Sequence, residues 1–369
     1  MLHPLRRVAA RCFFPAAVLA AALSGCQTTP PPPPAPLVQP PVATHEFTLD
    51  DGQGVVGHLQ VTRAHEADTL ADIARRFNVG YDAIERANPK VDPWLPHEGT
   101  TIVLPTQFVL PDAPRSGVVI NLAALRLYYY PPRKKGESQT VITHPIGIGQ
   151  IGWSTPLGTT KIIRKRADPV WYPPMSVRRE HAREGDVLPA KVAAGPDNPL
   201  GKYAFTLAWP SYLIHGTNKP YGVGLRVSHG CVRLYPEDIA QLFHDIPVGT
   251  KVTVVNQPQV YGFRDDTLYM QSFPALEDYP QKTAKKAAGK NRSKGKSATH
   301  FKTPTQYALE VRGDKPIAID PTLVADLIAA SNGIAVPISR PETTLAQVIA
   351  AAPRVENRLP RNATWDGVE

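Results

Sequence analysis

The densest chemistry in this chain of 369 residues lies in two short runs, His215-Gly216-Thr217-Asn218 and Ser228-His229-Gly230-Cys231-Val232-Arg233. They bring one thiol and two imidazoles within seventeen positions. A cysteine nucleophile needs a base to take its proton and donors to hold the oxyanion that forms after attack. Here Cys231 can be the nucleophile and His215 the base. Gly230 lets the backbone turn tightly, so the N–H groups of Gly230 and Cys231 are free to form an oxyanion hole. The pattern points to acyl transfer through a thioester. A metal site is the plainest rival. It needs three or four ligands, and only His215, His229 and Cys231 are close in sequence, while His144, His181 and His244 lack paired spacing. No cofactor is expected.

The remaining cysteines are Cys12 and Cys26. Cys12 lies in an N-terminal run with basic Arg6, Arg7 and Arg11 and an apolar stretch from Phe13 to Leu23, the layout of a secretory signal. The run is too short for a confident membrane span. It ends in Leu23-Ser24-Gly25-Cys26, which resembles a bacterial lipobox, where the signal is cut before the cysteine and the cysteine is acylated. Gln27 follows where an aspartate would favour the inner membrane, so the expectation is an exported, periplasmic protein, lipid-anchored at Cys26 in the outer membrane. Cys231 is then the mature chain's free thiol, and a lone thiol in an exported protein is a candidate reactive group.

Those residues must be held by something, and the length leaves room for two or three domains. The net charge of +9 first suggests nucleic acid. Yet the signal holds three arginines and no acids, and residues 281–302 hold eight Lys/Arg and no acids, which leaves the rest at −2. The basic excess belongs to a linker of the solvated kind rather than to a folded face, and no nucleic-acid partner is expected. The chain divides into the signal with lipobox (1–25), a proline-rich tether of extended polyproline type (27–44), a small module (45–106), the domain bearing the motif (115–256), the basic linker (281–302) and a C-terminal extension of unassigned role (303–369).

In the small module, apolar residues 70, 73, 74 and 77 have helical spacing, with Asp68 or Thr69 as N-cap. A second helix spans Tyr81 to Ala87, and Thr101 to Leu104 reads as a closing strand. In the larger domain, short strands fit 117–121, 125–130, 141–148, 159–164, 203–207, 212–215 and 251–255, punctuated by turns. One good helix is expected there, Pro236 to Phe243. Many short strands predict a mainly β domain, a sandwich or barrel. His215 ends one strand and Cys231 precedes the short run Val232-Arg233-Leu234, so two strand ends on one rim bring imidazole and thiol together. In the extension, helices are expected near Leu323–Ala330 and Thr343–Ala352.

His-Gly-Thr-Asn followed by Ser-His-Gly-Cys-Val-Arg resembles the L,D-transpeptidase (YkuD) family, and within it the ErfK/YbiS-like periplasmic subgroup. The segments Leu125-Arg126-Leu127-Tyr128-Tyr129-Tyr130, Pro145-Ile146-Gly147-Ile148-Gly149-Gln150 and Ala194-Gly195-Pro196-Asp197-Asn198-Pro199 support it. The small module, strand-helix-helix-strand, resembles a LysM domain, with Ala67 where a glycine is usual. The resemblance implies Cys231 as nucleophile, His215 as proton acceptor and donor, and the Gly216 carbonyl as the group that orients His215. It makes Ser228 and His229 pocket residues, and Arg233 and Asn218 contacts for the substrate. It further implies a peptidoglycan partner, attack at the third residue of a stem tetrapeptide with release of D-alanine, and acylation of Cys231 by carbapenems. The acceptor is an amine of another stem, a lysine of an outer-membrane lipoprotein or porin, or water. Two rival readings stay open: a hydrolase of the same fold, releasing a tripeptide or wall-linked protein, and a peptidoglycan-binding lipoprotein without catalysis.

Overall fold

The computed structural model describes residues 44–279, 302–340 and 342–358. The signal with Cys12 and Cys26, the tether before residue 44, the linker before Lys302 and residues beyond 358 lie outside them.

The chain enters through β1 (Glu46–Leu49), β2 (Val55–Gly57) and β3 (Gln60–Arg63), then α1 (Leu70–Arg76), α2 (Tyr81–Ala87), β4 (Thr101–Leu104) and β5 (Gln107–Val109). Leu70, Ile73, Ala74 and Ile84 bury one face of each helix against Ile102 and Leu104 of β4, which pairs antiparallel with β3. Thr69 is the N-cap of α1: its hydroxyl accepts from the Asp72 N–H, and the Asp72 carboxylate accepts from the Thr69 N–H. Such a reciprocal cap satisfies two orphan donors. Asp68 instead faces inward and pairs with Arg76 at 3.0 Å, both side chains buried. One boundary needs correction. β1, expected within the small module, pairs with β8 of the larger domain, and Leu49 packs into that domain's outer layer.

Next come β6 (Gly117–Asn121), β7 (Arg126–Tyr130), β8 (Gln139–Pro145), β9 (Ile148–Gly149), β10 (Gly158–Ala167), α3 (Met175–Arg183), β11 (Tyr203–Leu207), β12 (Leu213–His215), a 3-10 turn at Pro220–Gly222, β13 (Arg226–Ser228), β14 (Val232–Arg233), α4 (Pro236–Asp245) and β15 (Lys251–Val255). A nine-stranded sheet runs β1-β8-β7-β6-β15-β10-β11-β12-β14, and β9 pairs with β13 beside it. The protein is mainly β, as the strand pattern implies. The period of two on β6 and β7 explains the layers. Val118, Ile120, Leu127 and Tyr129 enter the main core with Ile239 and Leu242 of α4, while Val119, Tyr128 and Tyr130 fill the opposite face with Phe108. α3 was not expected; of its side chains only Val177 is buried, too little for an apolar period.

The chain closes with β16 (Gln259–Arg264), β17 (Thr267–Ser272), α5 (Pro304–Arg312), α6 (Pro321–Ala330), β18 (Val336–Pro337) and α7 (Leu345–Ala350). β16, β17 and β18 form an antiparallel sheet. Phe263, Leu268, Met270, Leu323, Leu327 and Val336 make a further core that includes Leu59 and Val103 of the small module. The expected helices correspond to α6 and α7; α5 and the three strands are additions. Beyond α7 the chain lies along β3: Val61 and Val355 N–H groups donate to Pro353 and Val61 carbonyls at 3.0 and 2.8 Å.

A polar seam joins the small module to α4. Arg75 makes a two-pronged bond to Glu237 at 2.8 and 3.0 Å, and the Asn78 amide donates to buried Asp238 at 2.6 Å. The N–H groups of Tyr81 and Asp82 donate to the Val223 and Gly224 carbonyls at 3.2 and 3.3 Å. This contact requires Gly224, whose φ is +86° and whose Cβ would stand 2.2 Å from the Tyr81 nitrogen.

Candidate active site

β12 and β14 run parallel, with Ile214 opposite Val232 and His215 opposite Arg233. Ile214 and Val232 point into the main core. Alternation therefore places His215, Arg233 and Cys231 on the other face. His215 is buried and Cys231 partly exposed. The expected meeting of two strand ends is thus built from strand register.

The His215 Nδ1 lies 2.6 Å from the Gly216 carbonyl. A carbonyl only accepts, so Nδ1 carries the hydrogen and Nε2 holds the free lone pair. Burial, then the charge of Arg233, lowers the His215 pKa from 6.5 to about 3, despite backbone hydrogen bonds with Gly216 and Leu200 that pull the other way. Burial raises the Cys231 thiol above its ordinary range, opposed by a Leu213 backbone hydrogen bond and by Arg233. The resting pair is therefore neutral imidazole and neutral thiol. Cys231 Sγ points its proton to the Ser211 carbonyl at 3.7 Å, and no hydrogen bond joins it to His215 among the described residues.

The nucleophile turn is shaped by Gly230, at φ +99°, where a Cβ would meet the Tyr212 ring at 3.0 Å. Thr155 Oγ1 donates to the Gly230 carbonyl at 2.9 Å, and Ser228 Oγ donates to the Cys231 carbonyl at 2.6 Å. Among the described residues the Cys231 N–H has no acceptor. An N–H left free beside the attacking sulfur is what an oxyanion hole requires.

α3 packs beside the nucleophile turn. Its Glu180 accepts from Gln150 Nε2 at 3.0 Å and Trp153 Nε1 at 2.9 Å, and stands 3.5 Å from His229 Nε2. The Trp153 ring meets His229 edge-on at 4.9 Å. Burial lowers the His229 pKa, with Glu180 opposing.

Residues 115–254 match the L,D-transpeptidase catalytic domain (YkuD), and residues 66–105 match the LysM domain. The chain is 40% identical over 264 residues to the probable L,D-transpeptidase YcfS of Escherichia coli, covering 69% of this chain and 81% of that relative. The chain belongs to the L,D-transpeptidase family. The probable L,D-transpeptidase YbiS of Escherichia coli is 49% identical over 211 residues, 56% of this chain and 67% of its own. The catalytic domain of the Enterococcus faecium L,D-transpeptidase, solved by NMR, is 21% identical with a TM-score of 0.29, covering 39% of this chain and all of its own.

In this L,D-transpeptidase the sequence-derived residues fall into three groups. Cys231, His215, Gly216, Gly230 and Arg233 lie together on the β12–β14 rim. Ser228 and His229 are adjacent: Ser228 fixes the Cys231 carbonyl and His229 meets the α3 carboxylate. Asn218 is exposed, with no side-chain hydrogen bond among the described residues. Sequence reasoning missed Glu180, Trp153 and Thr155. Their one prior signal was polarity without a repeat, which marks any loop. Among the described residues no group of three or more His, Cys, Asp or Glu is placed to hold a metal ion.

Proposed function

We propose that this L,D-transpeptidase cuts peptidoglycan stem tetrapeptides through a Cys231 thioester. The Cys231 proton passes to His215 Nε2 as Sγ attacks the carbonyl of the third residue's L-centre. The oxyanion is received by the Cys231 N–H. Collapse breaks the bond to D-alanine, whose amine takes the proton from His215. An acceptor amine then attacks the thioester and gives its proton to His215, which returns it to the leaving thiolate. The observation carrying this reading is the bond between His215 Nδ1 and the Gly216 carbonyl, which leaves the Nε2 lone pair free on the face it shares with Cys231. The LysM and catalytic domains together make peptidoglycan the natural polymer partner. The outer-membrane position, with a lipid on Cys26, rests on the sequence motif, and Cys26→Ala should release the protein into the soluble periplasmic fraction.

Mass spectrometry of the chain from Gln27 onward, incubated with a disaccharide-tetrapeptide beside Cys231→Ala, tests the chemistry. A product of two stems less one D-alanine, absent in the variant, supports transfer to a stem amine. A tripeptide alone makes water the acceptor. No Cys231-dependent product, even when a lysine-bearing outer-membrane protein is added as acceptor, overturns the proposal.

A further inference from the structure

Residues 276–279 lie beyond the span that matches the catalytic-domain family, yet they return to the catalytic core. Leu276 and Tyr279 are buried with the main cluster. Asp278 bridges two parts of the site: its carboxylate accepts from Arg226 Nη2 at 2.6 Å and from Ser154 Oγ at 2.8 Å. The Tyr279 hydroxyl donates to the Thr155 carbonyl at 2.7 Å, and Thr155 Oγ1 donates to the Gly230 carbonyl at 2.9 Å. Tyr212 adds a bond to the Ser154 carbonyl at 3.3 Å. The strap thus grips the 154–155 loop, and that loop grips the residue before the nucleophile.

The direction of that grip matters. The Gly230–Cys231 peptide is planar and trans, so its C=O and N–H point opposite ways. Holding the Gly230 oxygen on Thr155 aims the Cys231 N–H away from Thr155, on the side where no protein acceptor meets it. Gly230, at φ +99° without a side chain, has a broad range of orientations and needs such a hold.

We infer that Thr155 and Tyr279 are positioning residues for the oxyanion hole, with the 276–279 strap as its outer support acting through Thr155 on the Gly230–Cys231 peptide. The inference rests on Cys231 acyl transfer as proposed above. Its experiment separates two reactions of one thiol in the full chain. Alkylation by iodoacetamide needs thiolate but forms no oxyanion. Acylation by a carbapenem, or turnover of the tetrapeptide, forms one. Thr155→Val should slow acylation and kcat by ~10–100-fold, below the ~100–1,000-fold of a donor lost outright. Tyr279→Phe, the milder change, should slow them ~3–10-fold, since it loosens the donor at one remove. KM and the pH profile of alkylation should stay within about twofold, and Thr155→Ser should restore most of the acylation rate.

The inference is overturned if alkylation and acylation fall together, if Thr155→Ser is as slow as Thr155→Val, or if acylation is unchanged in Thr155→Val and Tyr279→Phe. Failure of the substrate reading looks different: the wild type would react with the carbapenem and leave the stem peptide untouched, and the carbapenem arm would still decide the role of the strap.

Discussion

Arg233 is the cation whose removal most directly tests the electrostatics of the site. It sits two residues after Cys231 on the same strand face and opposite His215 on the neighbouring strand. Its Nε has no hydrogen-bond partner among the described residues, so its charge is not spent on a protein carboxylate there. Two residues along an extended strand are ~6.6 Å apart. Charges at about that spacing interact by ~2.5 kcal/mol at an effective dielectric of ~20, enough to move both titrations. Arg233 favours the thiolate and disfavours the imidazolium. Arg233→Gln should therefore raise the pKa of both groups. The alkylation midpoint of Cys231 moves up, and the His215 titration moves up with it.

The two shifts have a joint consequence. Moving a proton from thiol to imidazole depends on the difference between their pKa values, and both rise, so the internal transfer changes little. The expected result is a pH profile for kcat/KM displaced upward on both limbs, with a modest change in its maximum. The assay is iodoacetamide alkylation across pH beside tetrapeptide turnover for wild type and Arg233→Gln. An alkylation midpoint that stays put or falls would refute the electrostatic argument. A large rise in KM with unmoved midpoints would make Arg233 a substrate-carboxylate contact alone.

Three further outcomes follow from the geometry. Gly230→Ala places a Cβ at φ +99° against the Tyr212 ring; it should cost ~1–2 kcal/mol of strain and slow carbapenem acylation at least tenfold, and an active, unshifted variant would show that the turn adapts. His45 and His215 are held neutral with pKa values lowered from 6.5 to about 3, by burial first and then by Arg126 and Arg233 respectively. Each contributes stability that is complete above pH 6.5 and is lost as the pH falls toward 3. Unfolding free energies from urea titrations should thus drop by ~2 kcal/mol per histidine between pH 6.5 and 5, and His45→Gln should flatten that slope. Asn78→Ala removes the 2.6 Å bond to Asp238, a buried carboxylate that also lies 3.0 Å from His144 Nδ1; urea unfolding should lose ~1.5–3 kcal/mol, whereas a loss below ~0.5 would mean that His144 alone holds the carboxylate.

The parts legible in the sequence are those whose information is local. The nucleophile, its base and the glycine turn form two contiguous runs, and the Thr69–Asp72 cap spans three residues. The β7 run Arg126-Leu127-Tyr128-Tyr129-Tyr130 is readable as a strand because aromatic residues suit a pleated surface buried on both sides. The elements that went unread are held by single polar groups reaching far along the chain. α3 has no apolar repeat, and its Glu180 bonds to Trp153, 27 residues away. Tyr279 meets Thr155 across 124 residues. Asn357 donates to Asp68 across 289 and also bonds to buried Arg76, so a residue of the unassigned extension completes a network inside the LysM module. Composition marks boundaries where folded segments give way to linkers, but it cannot say which segments share a core. For this chain that distinction has a physical consequence. Removing residues 353–358 uncovers β3, takes Val355 from the module's core and leaves Asp68 and Arg76 to pair without their buried amide. A module cut at residues 45 and 106 therefore loses contacts at both ends, because β1 pairs with the catalytic sheet and the C-terminal tail pairs with β3.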